Sequence, residues 1–537
     1  MDNTIKEIKI SKAVTLFMLP FYYEKNTFEI NTKPECPIWC HEQKKMGGDD
    51  GEFLFPYIMN FLQGQMEDCA LDMDYLNVYC LDENTDFYRK YWNKFAPALH
   101  VAEIELGKRV KQLKFKFQTS GSKGFVLPHL FVYEAANIGI LTFSLSLEDE
   151  NLDVDNLVAF NYHLHKLFGQ VSKCKTPSFR LSETESEKVK RFKESDLRFS
   201  REMIGEHTQN KKEMQTEWTP YLEFTWNIKT LKEMFLGSVA NGDVVLFIPP
   251  RAHLFTFVQV DDAQCDCLKL HDVAPFIVRL SRCITDKYQL PFEELEGEDC
   301  ILRTFKNIYM SASVEGTAMI AIAKSENQGF ISSMDGNSLP RYLWIYILTL
   351  IQRYTLLNME RRLTAIEMNK YEDKKDVNEG KEKDQEEKEK YSKELWELIR
   401  VINKVQVNCH FIEVSPFTQH NQFYTYCCNS LHLPENYDAV ERKMQKMELL
   451  VNHDIQEILS LQQKQQERES EKRKVMEHRL TVFISILTLF QGVVAFKDII
   501  FAESFISKDV TRDYATLCVF ILALISMLIY TNCSSNK

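Results

Sequence analysis

Apolar and polar positions alternate along this chain in patterns that predict distinct elements. Leu113, Phe115 and Phe117 are separated by polar neighbours, the period-two pattern of a half-buried strand, and residues 119–124 follow with the Gly and Ser chemistry of a turn. Apolar runs at 244–248, 254–258 and 319–323 predict further strands. The stretch 13–23 is also apolar, but it is short, contains Pro20 and lacks a small-residue cleavage site after it. It predicts a buried strand and not a signal peptide. Helical patterning occurs at 156–168 and 338–357, the second opening on Asn337, Ser338 and Pro340 as start signals. Together these predict a large α+β body. Strand 138–147, an acidic stretch and helix 156–168 are echoed by strand 317–323, a polar stretch and helix 338–357. That echo suggests two related halves on either side of the charged segment 182–216.

The C-terminal third follows a different rule. Val440, Met444, Met447, Val451, Ile455 and Ile458 recur at spacings of three and four, close to a coiled-coil seam. Such a seam is buried either by self-association or against the chain's own body. With no proline after Pro434, residues 436–496 could form one helix about 90 Å long. Its stretch 462–474 is almost wholly polar, which suits a solvated stalk or the wall of a wide vestibule. Residues 480–496 and 515–530 are then free of charge, and each as a helix would be about 25 Å long. The sequence therefore predicts two C-terminal transmembrane helices after a helical stalk. Lys464, Arg468, Lys472, Arg473, Lys474 and Arg479 precede the first segment, whereas Lys497, Lys508 and Arg512 of the following loop are offset by Asp498, Glu503, Asp509 and Asp513. By the positive-inside rule both termini face the cytosol, in a multi-pass protein of the cell's inner (plasma) membrane.

The chain of 537 residues reads as regions 1–181 and 217–337 of α+β character, the connector 182–216, and a helical region 338–435 with a charged loop at 369–390. The stalk at 436–479 and the transmembrane domain at 480–537 complete it. The formal net charge of −12 and the absence of a long basic stripe argue against direct nucleic-acid binding. Cys36 and Cys40 stand beside His41, and Cys265 and Cys267 form a CxC, but neither grouping has a second pair at zinc spacing. Glu148, Asp149, Glu150, Asp153 and Asp155 could take divalent cations or form a solvated loop. His163 and His165 fall on different helix faces. No P-loop, dinucleotide fingerprint, HExxH or nucleophile elbow is present, so an enzyme has no positive support and no cofactor is required.

Within the first charge-free segment Thr481, Ser485, Thr488, Gln491 and Gly492 share one helix face. Small polar residues there either pack helices closely or line a pore built from several copies. A cytosolic α+β body, a long helix leading into the first of two C-terminal segments and a short tail resemble the CorA superfamily of cation channels. Residues 479–488, Arg-Leu-Thr-Val-Phe-Ile-Ser-Ile-Leu-Thr, look like the start of that family's pore helix. The resemblance implies a homopentamer embedded in a lipid bilayer, with this helix lining the pore. The family's Gly-Met-Asn signature is missing, its place taken by residues 492–494 or 495–497 depending on register. The second register sets Lys497 at the pore mouth, where it disfavours cations. A housekeeping magnesium transporter is thereby argued against. The enlarged body resembles the divergent CorA-like membrane effectors associated with type III CRISPR antiviral defence. That likeness implies gating by a nucleotide second messenger, a conjugate of S-adenosylmethionine and AMP, at residues the sequence does not identify. A membrane-tethered sensor or scaffold without a pore is the competing expectation.

Overall fold

Every position of strand β1 from Ala13 to Phe21 is buried, Thr15 and Pro20 included, which explains an apolar run with no alternation. The computed structural model describes residues 8–24, 39–41, 53–63, 75–81, 92–93, 96–97, 100–106, 109–117, 128–147, 152–167, 173–177, 221–225, 244–247, 251–260, 268, 270–285, 300–305, 307–322, 339–372, 381–503, 519–520 and 522–523. The elements follow in the order β1 (Ile10–Tyr22), β2 (Trp39–His41), α1 (Pro56–Gln63), β3 (Asn77–Leu81), β4 (His100–Leu106), β5 (Arg109–Phe117), β6 (His129–Tyr133), β7 (Ile138–Leu147), α2 (Val154–Leu167), β8 (Lys173–Pro177), β9 (Tyr221–Thr225), β10 (Val245–Leu246), β11 (His253–Val260), α3 (Leu270–Arg282), β12 (Leu302–Phe305), β13 (Ile308–Ala312), β14 (Gly316–Ile322), α4 (Leu339–Glu372), α5 (Lys381–Cys409), α6 (Thr418–Ser430) and α7 (Leu433–Glu503). Two compact units divide the chain, Met1–Asn452 and His453–Lys537.

The first unit is built on one sheet of 14 strands, in the main order β12-β13-β14-β11-β1-β7-β5-β4-β8-β9. Strand β10 adds beside β1, while β2, β3 and β6 reach the sheet through β7. Among the described strands the pairs are antiparallel except β11 with β14. A parallel pair needs a crossover, and α3 supplies it. The fold is therefore mixed α/β, and strands from both expected α+β regions lie in this one sheet. Pro20 is tolerated in β1 because the partner changes there: β11 pairs as far as Met18 and β10 begins at Phe21.

Helices cover both faces. On one, Phe160 of α2 meets Phe115, and α3 lies beside β13 and β14. On the other, Tyr346 of α4 packs on Phe255 and Trp344 on Phe131. This explains why α4, like β1, is almost wholly apolar around its circumference from Tyr342 to Ile351, Thr349 being the exception. Val440, Met444, Met447 and Val451 of α7 are buried within the first unit, so the chain's own body accounts for these seam positions. Ile455 is part-exposed, and the Ile458 side chain lies outside the described residues, as do the connector 182–216 and the side chains of 369–390.

The expected transmembrane helices require correction. Among the described residues no helix is long and apolar enough to cross a membrane. The long helix does form, as α7, and carries the whole charge-free run 480–496, but that run is roughly 25 Å long, against the ~30 Å of a bilayer's hydrocarbon core. Lys472, Arg473, Lys474 and Arg479 immediately precede it. Of the second segment only Val519, Phe520, Leu522 and Ala523 are described; the rest lies outside the described residues.

Gly316 gives a direct test of the parallel pairing. A Cβ at this position would lie 2.6 Å from the backbone oxygen of Leu254, its partner in β11. Gly316→Ala is expected to destabilise the first unit by about 1–3 kcal/mol, read as a lowered denaturant midpoint with the slope unchanged.

Candidate functional site

The predicted face of α7 is formed in the second unit. Thr481, Ser485 and Thr488 are exposed, and each hydroxyl donates at 2.8 Å to the carbonyl four residues earlier, those of Glu477, Thr481 and Ile484. Their protons are thus turned onto the helix's own backbone, leaving oxygen lone pairs outward. The stripe offers acceptors and no free hydroxyl donors. Gln491 is exposed beside it, and a Cβ at Gly492 would meet nothing within 4 Å, so close approach by another surface is open. Lys497 lies within α7, its side chain outside the described residues.

The first unit contains a second set of polar groups that periodicity missed. Thr15 Oγ1 donates to Asn161 Oδ1 at 3.1 Å, and Asn161 Nδ2 donates to Thr256 Oγ1 at 2.9 Å. All three are at most 1 % exposed and join β1 and β11 to α2. On the opposite face Gln352 of α4 donates to the Cys409 carbonyl at 2.6 Å and to the Tyr424 hydroxyl at 2.9 Å; Tyr424 in turn donates to the Phe411 carbonyl at 2.8 Å. His253 and Tyr354 share a hydrogen bond, and the Tyr354 hydroxyl is held protonated by burial.

Ser415 and His420 form a buried serine–histidine pair, with 3.0 Å between Oγ and Nδ1. Ser415 Oγ donates to the Phe53 carbonyl, so Nδ1 carries the imidazole proton and donates to the serine. A histidine in that tautomer cannot take the serine's proton through this nitrogen, and the hydroxyl is closed off from substrate. The pair instead joins residues 53–57 to the loop before α6, where Phe55 N donates to Val414 O at 3.0 Å and Tyr57 OH to Glu413 O at 2.6 Å. Burial, reinforced by the Arg341 guanidinium, lowers the His420 pKa to about 4.

The metal candidates separate on inspection. Asp153 accepts a hydrogen bond from Asn156 N at 2.6 Å and caps α2, while Asp155 faces Arg279 at 3.7 Å. Glu148, Asp149 and Glu150 lie outside the described residues, as do Cys36, Cys265, Cys267 and the side chains of Cys40, His41, His163 and His165. Among the described residues no group of three His, Cys, Asp or Glu could hold a metal ion. No protein-family model matches the chain, and no curated protein matches it.

His420 makes the stability of the first unit pH-dependent. In the unfolded chain an imidazole takes a proton near pH 6.5, but in the fold His420 stays neutral down to about 4. Between those values the unfolded state binds more protons, so this contribution is full above about 6.5 and falls toward about 4. A slope of up to about 1.4 kcal/mol per pH unit is expected in denaturant melts across that window, and His420→Asn should flatten it.

Proposed function

We propose that the chain is a ligand-responsive effector of the CorA-like kind that acts at a lipid bilayer as an assembly of copies. One observation carries this: the apolar surface of the second unit. Leu480, Phe483, Ile484, Leu487, Leu489, Phe490 and Val494 of α7, with Val519, Phe520 and Leu522, are each 43–64 % exposed. Large apolar side chains gathered this densely call for a covering surface, and a bilayer interface supplies one without a spanning segment. The first unit serves as the sensing part. Its ligand is a nucleotide second messenger, as the likeness to the type III CRISPR effectors implies.

Ion passage is the output that the same likeness implies, and the acceptor stripe of α7 supports it. Outward lone pairs on Thr481, Ser485 and Thr488 suit a hydrated cation, whereas a purely apolar face does not. A tethered sensor without ion passage would leave the stripe only the role of close helix packing.

The test has two stages. Light scattering of the detergent-solubilised protein, with the micelle mass subtracted, is expected to give about five copies, as the resemblance implies; a stable monomer with α7 intact overturns the assembly. Vesicles carrying the protein are then expected to leak cations when an S-adenosylmethionine–AMP conjugate is added. Thr481→Leu with Ser485→Leu should reduce that flux severalfold, whereas an unchanged flux would assign the stripe to helix packing alone.

A further inference from the structure

The apolar end of α7 does not stand alone. Over the two turns before it, Lys472, Arg473, Lys474 and Arg479 are all exposed, with Glu477 the only acidic residue between them. At about 100° per residue, Lys472, Arg473 and Lys474 point in three directions and Arg479 returns close to the direction of Lys472. The charges form a girdle around the helix and not a stripe along it. The apolar side chains that follow are arranged differently. Leu480, Phe483, Ile484, Leu487, Phe490 and Val494 cluster on one side and Leu489 extends the apolar arc beyond it, leaving Thr481, Ser485 and Thr488 as a narrow polar stripe. Phe490 is further joined edge-on to Phe520, with ring centroids 5.8 Å apart, which widens the apolar surface.

Association with further copies alone would set the basic girdles side by side with no counter-charge, so an assembly of copies still calls for an anionic surface at this level. An anionic bilayer satisfies both parts at once. Headgroup phosphates sit at the level of the basic girdle, and the acyl boundary lies within reach of the residues one to four turns further on. The hydroxyls of Thr481, Ser485 and Thr488 raise no objection, since their donors are already used by the backbone. We propose that α7 from Lys472 to Val494 docks into the interface of an anionic lipid bilayer, the girdle binding phosphate headgroups and the apolar side entering the outer acyl region. This rests on the bilayer function proposed above and names the lipid chemistry it selects.

Co-flotation of the full chain with vesicles tests it. One set is pure phosphatidylcholine; the other contains about one-third phosphatidylglycerol. Binding to the anionic set is expected to be at least tenfold tighter and to weaken severalfold at high salt, because each Lys or Arg at an anionic surface contributes roughly fivefold. The triple variant Lys472→Gln, Arg473→Gln, Lys474→Gln should lose on the order of a hundredfold toward anionic vesicles while leaving phosphatidylcholine binding unchanged. The variant Lys472→Arg, Lys474→Arg should retain full binding. All these side chains are exposed, and thermal melting of each variant verifies the fold. Equal affinity for both vesicle sets overturns headgroup recognition but leaves action at a bilayer standing. Absence of binding to either set, with the protein recovered as a salt-stable oligomer, assigns the apolar side to another copy and overturns both.

Discussion

The pairing of β1 along both of its edges is the constraint on which the first unit depends. One edge is taken by β7 from Val14 to Tyr22 and the other by β11 from Ile10 to Met18, and helices close both faces. A strand enclosed in this way cannot be solvated at any position from Ala13 to Phe21, so its sequence is apolar without alternation. Its partners come from segments more than a hundred residues downstream. The sheet therefore forms only when distant parts of the chain are brought together, and the two α+β regions cannot fold as independent domains around separate cores. Gly139 shows how tightly the arrangement closes: it lies opposite Phe21, whose ring occupies the space a Cβ would need.

Register in such a strand is not specified by an inside and an outside, because both faces are apolar. The polar groups supply what hydrophobicity leaves open. Thr15 lies directly across from Thr256, and Asn161 bridges them from α2. A one-residue slip would turn Thr15 to the opposite face and strand the Asn161 amide in the core, at a cost of about 1–3 kcal/mol for each buried group left unpaired. The same logic holds on the other face. There Gln352 ties α4 to the end of α5 and to α6, and Asn358 donates to the Ala136 carbonyl at 2.7 Å. These contacts fix which helix lies where; apolar burial alone would accept several placements.

Local elements were legible because their signals are local. The alternation at Leu113, Phe115 and Phe117 became β5, the start signals near Pro340 opened α4, and the long run after Pro434 became α7. The pairing order was not legible, since β1, β7 and β11 carry similar apolar runs and nothing in one names its neighbour. The seam on α7 shows the same ambiguity. Spacings of three and four are produced equally by a partner helix and by the chain's own body, and here the body buries Val440 through Val451. The expected membrane crossings rested on charge-free runs of 17 and 16 residues, each already short of a full span, and among the described residues no helix is long and apolar enough to cross a membrane. The candidate stripe at Thr481, Ser485 and Thr488 was visible as spacing, but the direction of the hydroxyl protons is a property of the folded helix.

That direction changes what the end of α7 can tolerate. A serine or threonine with a free hydroxyl resists transfer from water, because an unpaired donor in an apolar medium costs several kcal/mol. Once each proton is given to a carbonyl of the preceding turn, the outward oxygen is only an acceptor, and the surrounding methyl and aromatic groups dominate the surface. The segment can then meet acyl chains on its apolar side and water or cations along the stripe. The charged turns from Lys472 to Arg479 set the opposite limit, since guanidinium and ammonium groups remain at the level of water and phosphate. In the docking proposed above, these two tolerances would meet at the junction of Arg479 and Leu480 and set the depth there.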